Sequence, residues 1–122
     1  MIFGLGTDIV EIERIEKLYS KYGINFANRI LNPKEQKDLE GNRFPVKFLA
    51  KRFAAKEALA KALSVGHGLQ WHEAEVINLE NGKPEFLFRG EIAELISGLR
   101  VHLSLSHDGG IASAIVVIEE KA

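Results

Sequence analysis

The charged residues of one predicted helix are spaced so that they could carry out chemistry. Residues 48–63 read FLAKRFAAKEALAKAL, a run without glycine or proline that predicts about four helical turns. Glu57 and Lys61 lie one turn apart on one face, and Arg52 lies on another face among leucines. Because apolar residues lie between the charged residues on every face of the helix, we expect the helix to be largely buried and its charged side chains to be functional. The alternative is a solvated helix with an ordinary Glu57–Lys61 pair.

A second acidic residue stands inside an apolar strand. Residues 2–10 read IFGLGTDIV, and strand alternation places Gly4, Gly6 and Asp8 on one face. A face lined by glycine leaves room for another backbone, or for a ligand beside the carboxylate. A carboxylate in a buried strand needs a partner, and a cation is a natural one. The alternative is a structural Asp8 that caps the next helix.

Near the C-terminus, residues 103–110 read LSLSHDGG, which places a serine, a histidine and an aspartate in succession. A hydrolase triad does not follow, because neighbouring strand residues point to opposite faces and triads are assembled from residues distant in sequence. Beside a glycine-rich turn, Ser106 and His107 are better suited to holding a phosphate or moving a proton.

A basic ridge is predicted on the first helix, residues 11–22, because cations recur there at spacings of three and four. The ridge consists of Arg14, Lys17 and Lys21. It is either a solvated face or a docking surface for an acidic partner.

The elements that must position these residues change type along the chain. Gly23 is expected to end the first helix, and Phe26 and Arg29 to lie in an irregular segment after it. Asn32 then begins a short helix that stops at Gly41, and residues 42–45 connect it to the central helix.

The second half of the chain is predicted to be mostly strand. Residues 75–80 and 84–88 form a hairpin with a tight primed turn at Asn81-Gly82. A helix at 91–97 should turn Ile92, Leu95 and Ile96 to the core, and strands at 101–106 and 111–118 follow. These elements indicate an α+β fold with a mainly antiparallel sheet and helices packed on it.

Composition limits the classes of function. The 122 residues are expected to form one domain, 1–122, with 46% hydrophobic and 27% charged residues. A net charge of -1 gives no basic field for nucleic acid, and no cysteine is present for a thiolate site. Without a membrane-length apolar run or a signal-peptide pattern, we expect a cytoplasmic protein with no membrane partner.

Three segments together resemble one family. GTDIVEIERI at 6–15, FAAKEALAKAL at 53–63 and LSLSHDGGIASAIVV at 103–117 are similar to the holo-[acyl carrier protein] synthases, the small bacterial type of the 4'-phosphopantetheinyl transferase superfamily. The resemblance runs nearly end to end. It departs from the family after the central helix, where Val65-Gly66-His67-Gly68 stands in place of a G-T-G-like turn.

The resemblance implies a reaction and a site. Such enzymes move phosphopantetheine from coenzyme A to a serine hydroxyl of apo-acyl carrier protein, with Mg²⁺, and release adenosine 3',5'-bisphosphate. Asp8 and Glu57 match the metal carboxylates, and Lys61 would neutralise phosphate charge. The general base is either Glu57 or a metal-held water. The coenzyme A contacts would be Arg52, Lys61, Ser106 and His107, with the turn Gly82, Lys83 and Pro84 near the adenine.

The resemblance also implies partners. Acyl carrier proteins are acidic, so Arg14, Lys17, Lys21, Phe26 and Arg29 would form the surface that binds them. Known members are homotrimers with active sites at subunit interfaces. Two other classes stay open, a different Mg²⁺-dependent phosphoryl or nucleotidyl enzyme and a non-catalytic module that binds an acidic protein. The sequence leaves open whether a fatty acid or polyketide carrier is served, and whether acyl-coenzyme A is accepted.

Overall fold

The structure is a computed structural model that describes residues 1–64 and 70–121. Within these ranges the strands are β1 (Ile2–Glu11), β2 (Ala74–Asn78), β3 (Pro84–Phe88), β4 (Leu99–Asp108) and β5 (Ile111–Glu120). The helices are α1 (Ile12–Tyr22), α2 (Ile24–Ile30), α3 (Pro33–Glu40), α4 (Pro45–Leu63) and α5 (Gly90–Leu95), and a 3-10 turn lies at Trp71–Glu73. The predicted Val65–Gly68 turn lies outside the described residues. In the described part of the chain, no helix is long and apolar enough to cross a membrane.

Antiparallel pairing builds both sheets. The three-stranded sheet has the order β1-β5-β4, and β2 pairs with β3 in a separate two-stranded sheet. The central strand β5 buries Ala112, Ala114, Val116 and Ile118 at every second position, as expected for a strand with one face on the core. The predicted α+β class with mainly antiparallel strands is confirmed.

Helix α4 lies against the core face of this sheet and is enclosed, as its sequence predicted. Eleven of its nineteen residues are buried, including Arg52 and Lys56. The glycine-lined face of β1 receives the backbone of α4, since a methyl group on Gly6 would overlap the carbonyl oxygen of Ala58. Gly4 meets the carbonyl of Ala62 in the same way. Glycine is therefore required here for close packing of a strand on a helix.

The N-terminal helices agree with the sequence in part. Gly23 has a φ of 58° and its backbone N–H donates to the carbonyl of Tyr19, which confirms it as the residue that ends α1. Asn32 and Glu35 form a capping box at the start of α3, as predicted. The irregular segment predicted around Phe26 and Arg29 is wrong, because both lie in α2. A helix of seven residues has too short a pattern to recognise, and tertiary contacts hold it.

Three details of the second half and the central helix also differ from prediction. The hairpin turn is longer than the two residues predicted, because strand pairing stops at Asn78–Pro84. Within this longer turn Gly82 is in the left-handed region, with a φ of 87°. Leu95 is exposed rather than in the core, since α5 ends there and turns only Ile92 fully inward. Helix α4 begins at Pro45, three residues earlier than predicted, because proline suits a first turn.

Candidate active site

Asp8 and Lys61 form the centre of the candidate site. Asp8 lies on the core face of β1, and its Oδ1 is 3.1 Å from the Nζ of Lys61 on α4. The Lys61 ammonium also donates to the carbonyl of Thr7 at 3.0 Å. Asp8 does not cap a helix, because Glu11 is the N-cap of α1 and no side chain bonds there. The carboxylate thus has a cationic partner, as an acid in a half-buried strand requires.

The residues at this point fit a divalent cation. The second oxygen of Asp8, Oδ2, is buried and has no hydrogen-bond partner among the described residues. Glu57 stands one turn before Lys61 on α4, half-buried, and within the same residues it makes no side-chain hydrogen bond or ion pair. Carboxylate oxygens are the ligands that Mg²⁺ prefers, and it commonly takes one or two of them together with phosphate oxygens and water.

A cavity of about 450 Å³ adjoins Asp8 and Lys61. Hydroxyl groups from the sheet line it, contributed by Ser104 and Ser106 of β4 and Ser113 of β5. Ser106 and Ser113 are cross-strand partners, so their side chains stand on the same face of the sheet. The register places Ser106 on the outer face of the sheet, where it shares a cavity wall with Lys61, whereas the Asp8 side chain stands on the core face. Ser106 is therefore not at the Arg52 cavity.

His107 points to the opposite face and lines a second cavity of about 620 Å³ together with Arg52, Gly82 and Pro84. Lys83 is exposed in the same turn and is not among the residues that line the cavity. Four of the residues predicted to hold coenzyme A thus share one cavity, whereas Ser106 and Lys61 belong to the other.

Arg52 is the principal charge of the second cavity. Its Nη2 donates to the Oδ1 of Asn78 at 2.9 Å, its guanidinium lies 4.4 Å from the ring centre of Phe48, and its Nε is buried without a partner among the described residues. Burial lowers the pKa of Arg52, and the carboxylates of Glu35 and Asp38 only partly oppose this. A buried guanidinium with an unused N–H is suited to bind a phosphate.

Other polar residues of this cavity were not predicted from the sequence. They are Lys34, Asp38, Asn42, Lys51 and Asn78. Burial lowers the pKa of Lys51, and the nearby charges of Arg52 and Lys47 lower it further. The signal for Lys51 was its position beside Arg52 on an enclosed helix. Asn78 gave no signal, because its approach to Arg52 depends on the packing of β2 against α4.

The predicted partner surface is continuous across α1 and α2. Arg14 and Lys17 line one hollow with Leu18, and Leu18 also borders a second hollow of about 420 Å³ formed with Tyr22, Phe26 and Arg29. Lys21 is exposed on the same helix, with its Nζ 5.2 Å from the ring centre of Tyr22. Lys17 is 3.4 Å from Glu13, so the ridge is not purely basic.

Comparison with known proteins adds to this geometry. Residues 4–115 match the model of the 4'-phosphopantetheinyl transferase superfamily. A Vibrio cholerae protein named holo-[acyl-carrier-protein] synthase is 45% identical over 126 residues, covering 99% of this chain and 100% of that protein.

Two solved structures named for the same activity have the same fold. The enzyme from Neisseria meningitidis has a TM-score of 0.92 at 41% identity and covers 98% of this chain and 100% of its own. The Bacillus anthracis enzyme, in complex with CoA (3',5'-ADP), has a TM-score of 0.84 at 38% identity and covers 99% of each chain. Sequence and fold agree over nearly the whole chain, and the resemblance noted in the sequence is confirmed. The chain belongs to the 4'-phosphopantetheinyl transferase superfamily and, within it, to the holo-[acyl-carrier-protein] synthases, which are enzymes.

Proposed function

We propose that this protein transfers 4'-phosphopantetheine from coenzyme A to a serine hydroxyl of an acidic apo-acyl carrier protein and releases adenosine 3',5'-bisphosphate. The serine oxygen forms a bond to the β-phosphorus, the bond from that phosphorus to the bridging pyrophosphate oxygen breaks, and the serine proton passes to a base. The observation that carries the proposal is the Asp8–Lys61 pair, in which one carboxylate oxygen is buried and unpartnered among the described residues.

Asp8, Glu57 and Lys61 would have separate roles in this reaction. Asp8 and Glu57 would hold Mg²⁺, which screens the negative charge of the pyrophosphate when bound. Lys61 places its ammonium beside the same carboxylate, where it can neutralise charge on the leaving bisphosphate. Glu57 is also the candidate base, since no partner in the described part of the chain engages its carboxylate.

The 620 Å³ cavity would receive the nucleotide end of coenzyme A. Arg52 and His107 supply phosphate contacts, and Gly82, Lys83 and Pro84 form the wall beside the base. The supporting observation is the unused N–H of the buried Arg52 guanidinium, which an anion would satisfy. Ser106, at the other cavity, would contact the pyrophosphate instead.

The surface of α1 and α2 would bind the carrier protein. Its cations, Arg14, Lys17, Lys21 and Arg29, match the negative charge of such carriers. Phe26 and Tyr22 provide apolar contact within the same hollow.

A homotrimer would complete the site. The outer face of the three-stranded sheet exposes Leu5, Ile9 and Ile115, and their register in β1 and β5 puts them on one face. A contiguous exposed apolar face is typical of a protein interface. The cavity beside Asp8 and Lys61 opens on this face, because Ile9, Ser104 and Ile115 line it. A second copy seated there would form the missing wall.

The test is mass spectrometry of apo-acyl carrier protein after incubation with this protein, coenzyme A and Mg²⁺. A mass gain of about 340 Da, one phosphopantetheine per carrier, is expected. The gain should disappear with EDTA and return when Mg²⁺ is added in excess. No mass gain with either a fatty acid or a polyketide carrier would contradict the proposal.

A further inference from the structure

A fully buried lysine next to Glu57 takes no part in the proposed chemistry. The Lys56 side chain is 0% exposed, and its Nζ contacts three acceptors: the carbonyl of Ile30 at 2.6 Å, Oε1 of Glu35 at 2.6 Å and the carbonyl of Trp71 at 3.1 Å. An ammonium has three N–H groups, so each is matched by one acceptor. The acceptors come from α2, α3 and the 3-10 turn, three elements that Lys56 joins to α4.

The partner of Lys56 is equally well satisfied. Glu35 is 0% exposed and accepts from the backbone N–H of Asn32 at 3.0 Å and from that of Val76 at 2.9 Å. Burial lowers the pKa of Lys56 and the Glu35 carboxylate opposes that shift. Buried ion pairs give little net stability compared with apolar residues of the same size, so the pair requires another explanation, such as fixing one arrangement of the elements.

Helix α2 depends on contacts from outside itself. It has seven residues and no side-chain cap at its N-terminus, and a helix of that length is not stable alone. Two carbonyls of its last turn have side-chain donors from elsewhere, Asn28 from the His72 ring at 2.6 Å and Ile30 from Lys56. A cation at the C-terminal end of a helix is also electrostatically favourable.

We propose that Lys56 is a positioning residue that holds α2, with Phe26 and Arg29, in a fixed place relative to Glu57 on α4. His72 assists from the solvent side. The inference rests on the proposed docking of the carrier protein at α1 and α2. Lys56 bonds to none of the residues of the Asp8–Lys61 pair or of the Arg52 cavity, although its partner Glu35 lies on α3 beside Lys34 of that cavity. Its loss should therefore weaken carrier docking more than coenzyme A binding.

The test compares the double variant Lys56→Met/Glu35→Gln, which leaves no unpaired buried charge, with His72→Phe and wild type. In steady-state transfer assays, the KM for apo-carrier protein should rise about tenfold in the double variant and about threefold in His72→Phe. The KM for coenzyme A should rise less than the KM for carrier in the double variant, because the Glu35 charge also acts on Arg52, and should stay within about twofold of wild type in His72→Phe. The kcat at saturating carrier should stay within about twofold of wild type in both variants. Ile92→Ala is the matched control, because it destabilises the core from α5, away from α2. It should leave both KM values unchanged.

Amide hydrogen exchange of the free protein separates this inference from the proposed function, because it requires no activity. In the double variant and in His72→Phe, the exchange rate of residues 24–30 should rise about tenfold relative to that of α1. In Ile92→Ala this ratio should not change. Unchanged exchange in α2, or a fall in kcat equal to the rise in carrier KM, would overturn the role assigned to Lys56. Absence of any transfer by wild type would refute the proposed function and leave the exchange result to decide the positioning.

Discussion

At the scale of single residues, Arg52 is held in a position that favours ligand binding over stability. The guanidinium is buried between the Phe48 ring and Asn78, and no carboxylate lies within ion-pair distance of it in the described part of the chain. Burying a cation without a counterion costs free energy, which a bound phosphate would return. Function and stability should therefore respond in opposite directions when this charge is removed.

The substitution Arg52→Met tests that opposition. It keeps much of the apolar stem while removing the charge, so we expect the melting temperature of the free protein to stay level or rise by a few degrees. Coenzyme A affinity, measured by calorimetry, should fall about tenfold or more. The control is Arg100→Met on the exposed edge of β4. Lower stability of Arg52→Met together with unchanged affinity would contradict this role.

Glu57 is predicted to act in the reaction without supporting the fold. Since its carboxylate has no partner among the described residues, Glu57→Gln should leave the melting temperature within about 1 °C. The kcat for transfer should drop at least about 10²-fold. Glu94→Gln, an exposed carboxylate on α5, is the matched control and should behave as wild type. Comparable kcat values for the two variants would remove Glu57 from the mechanism.

At the scale of elements, the contact between β1 and α4 sets the position of the site. The strand supplies Asp8 and the helix supplies Glu57 and Lys61, and the two backbones approach closely where Gly4 and Gly6 have no side chains. A strand side chain larger than hydrogen would push the helix away and separate the carboxylate from the ammonium.

The substitution Gly6→Ala should therefore be severe. Its methyl group would overlap the backbone of Ala58 and Ala62, which cannot move as a flexible side chain would. We expect a loss of about 3 kcal/mol or more in the free energy of unfolding by urea. Gly41→Ala is the control, because its nearest neighbour would be an ordinary 3.9 Å away. Equal unfolding midpoints for the two variants would mean that the close packing is not as described.

A pH-dependent contact anchors the second sheet. Burial alone would raise the pKa of Glu75 on β2, but hydrogen bonds from Arg89 and Asn32 outweigh it and lower that pKa below 4.5. The ionised carboxylate therefore contributes stability above about pH 4.5, and this contribution disappears as the pH falls through the lowered pKa.

Removing the arginine should shift acid unfolding. In Arg89→Met the pKa of Glu75 rises toward its ordinary value, so unfolding on acidification, followed by circular dichroism, should begin a few tenths of a pH unit higher. The effect at pH 7 should be below about 1 kcal/mol, because the Arg89 side chain is half exposed. The exposed Lys37→Met serves as control. An acid midpoint identical to wild type would show that the ion pair does not act on Glu75.

At the scale of the whole molecule, local patterns in the sequence were sufficient to predict most helices and strands and to identify the main charged residues of the candidate site. Asp8 and Arg52 could be singled out in the sequence because each is a charged residue among apolar ones. In the structure Asp8 has a cationic partner, Lys61, and Arg52 is buried on an enclosed helix. The division of Ser106 and His107 between two cavities follows from strand alternation. Burial of Lys56 on Glu35 could not be predicted, since the partners are 21 residues apart and meet only when α3 packs on α4.

The exposed face of the three-stranded sheet leads to a prediction about assembly. Leu5→Lys places a charge in the centre of the apolar face and should convert a trimer to monomers, as measured by light scattering after gel filtration. Transfer activity should fall in parallel, because the cavity beside Asp8 opens on that face. Leu95→Lys, at a similarly exposed leucine on α5, should change neither property. A trimeric Leu5→Lys protein would place the interface elsewhere.

The Asp8–Glu57–Lys61 site is proposed to cleave the pyrophosphate of coenzyme A and to move the phosphopantetheine to the carrier. The most direct test is a stoichiometric assay of nucleotide release and carrier modification in the same reaction. We predict one adenosine 3',5'-bisphosphate per phosphopantetheinylated serine, with both products absent in Asp8→Ala. A carrier that instead gains the adenylate portion of coenzyme A, or nucleotide released without carrier modification, would refute phosphopantetheine transfer and indicate a different phosphoryl or nucleotidyl transfer at the same carboxylates.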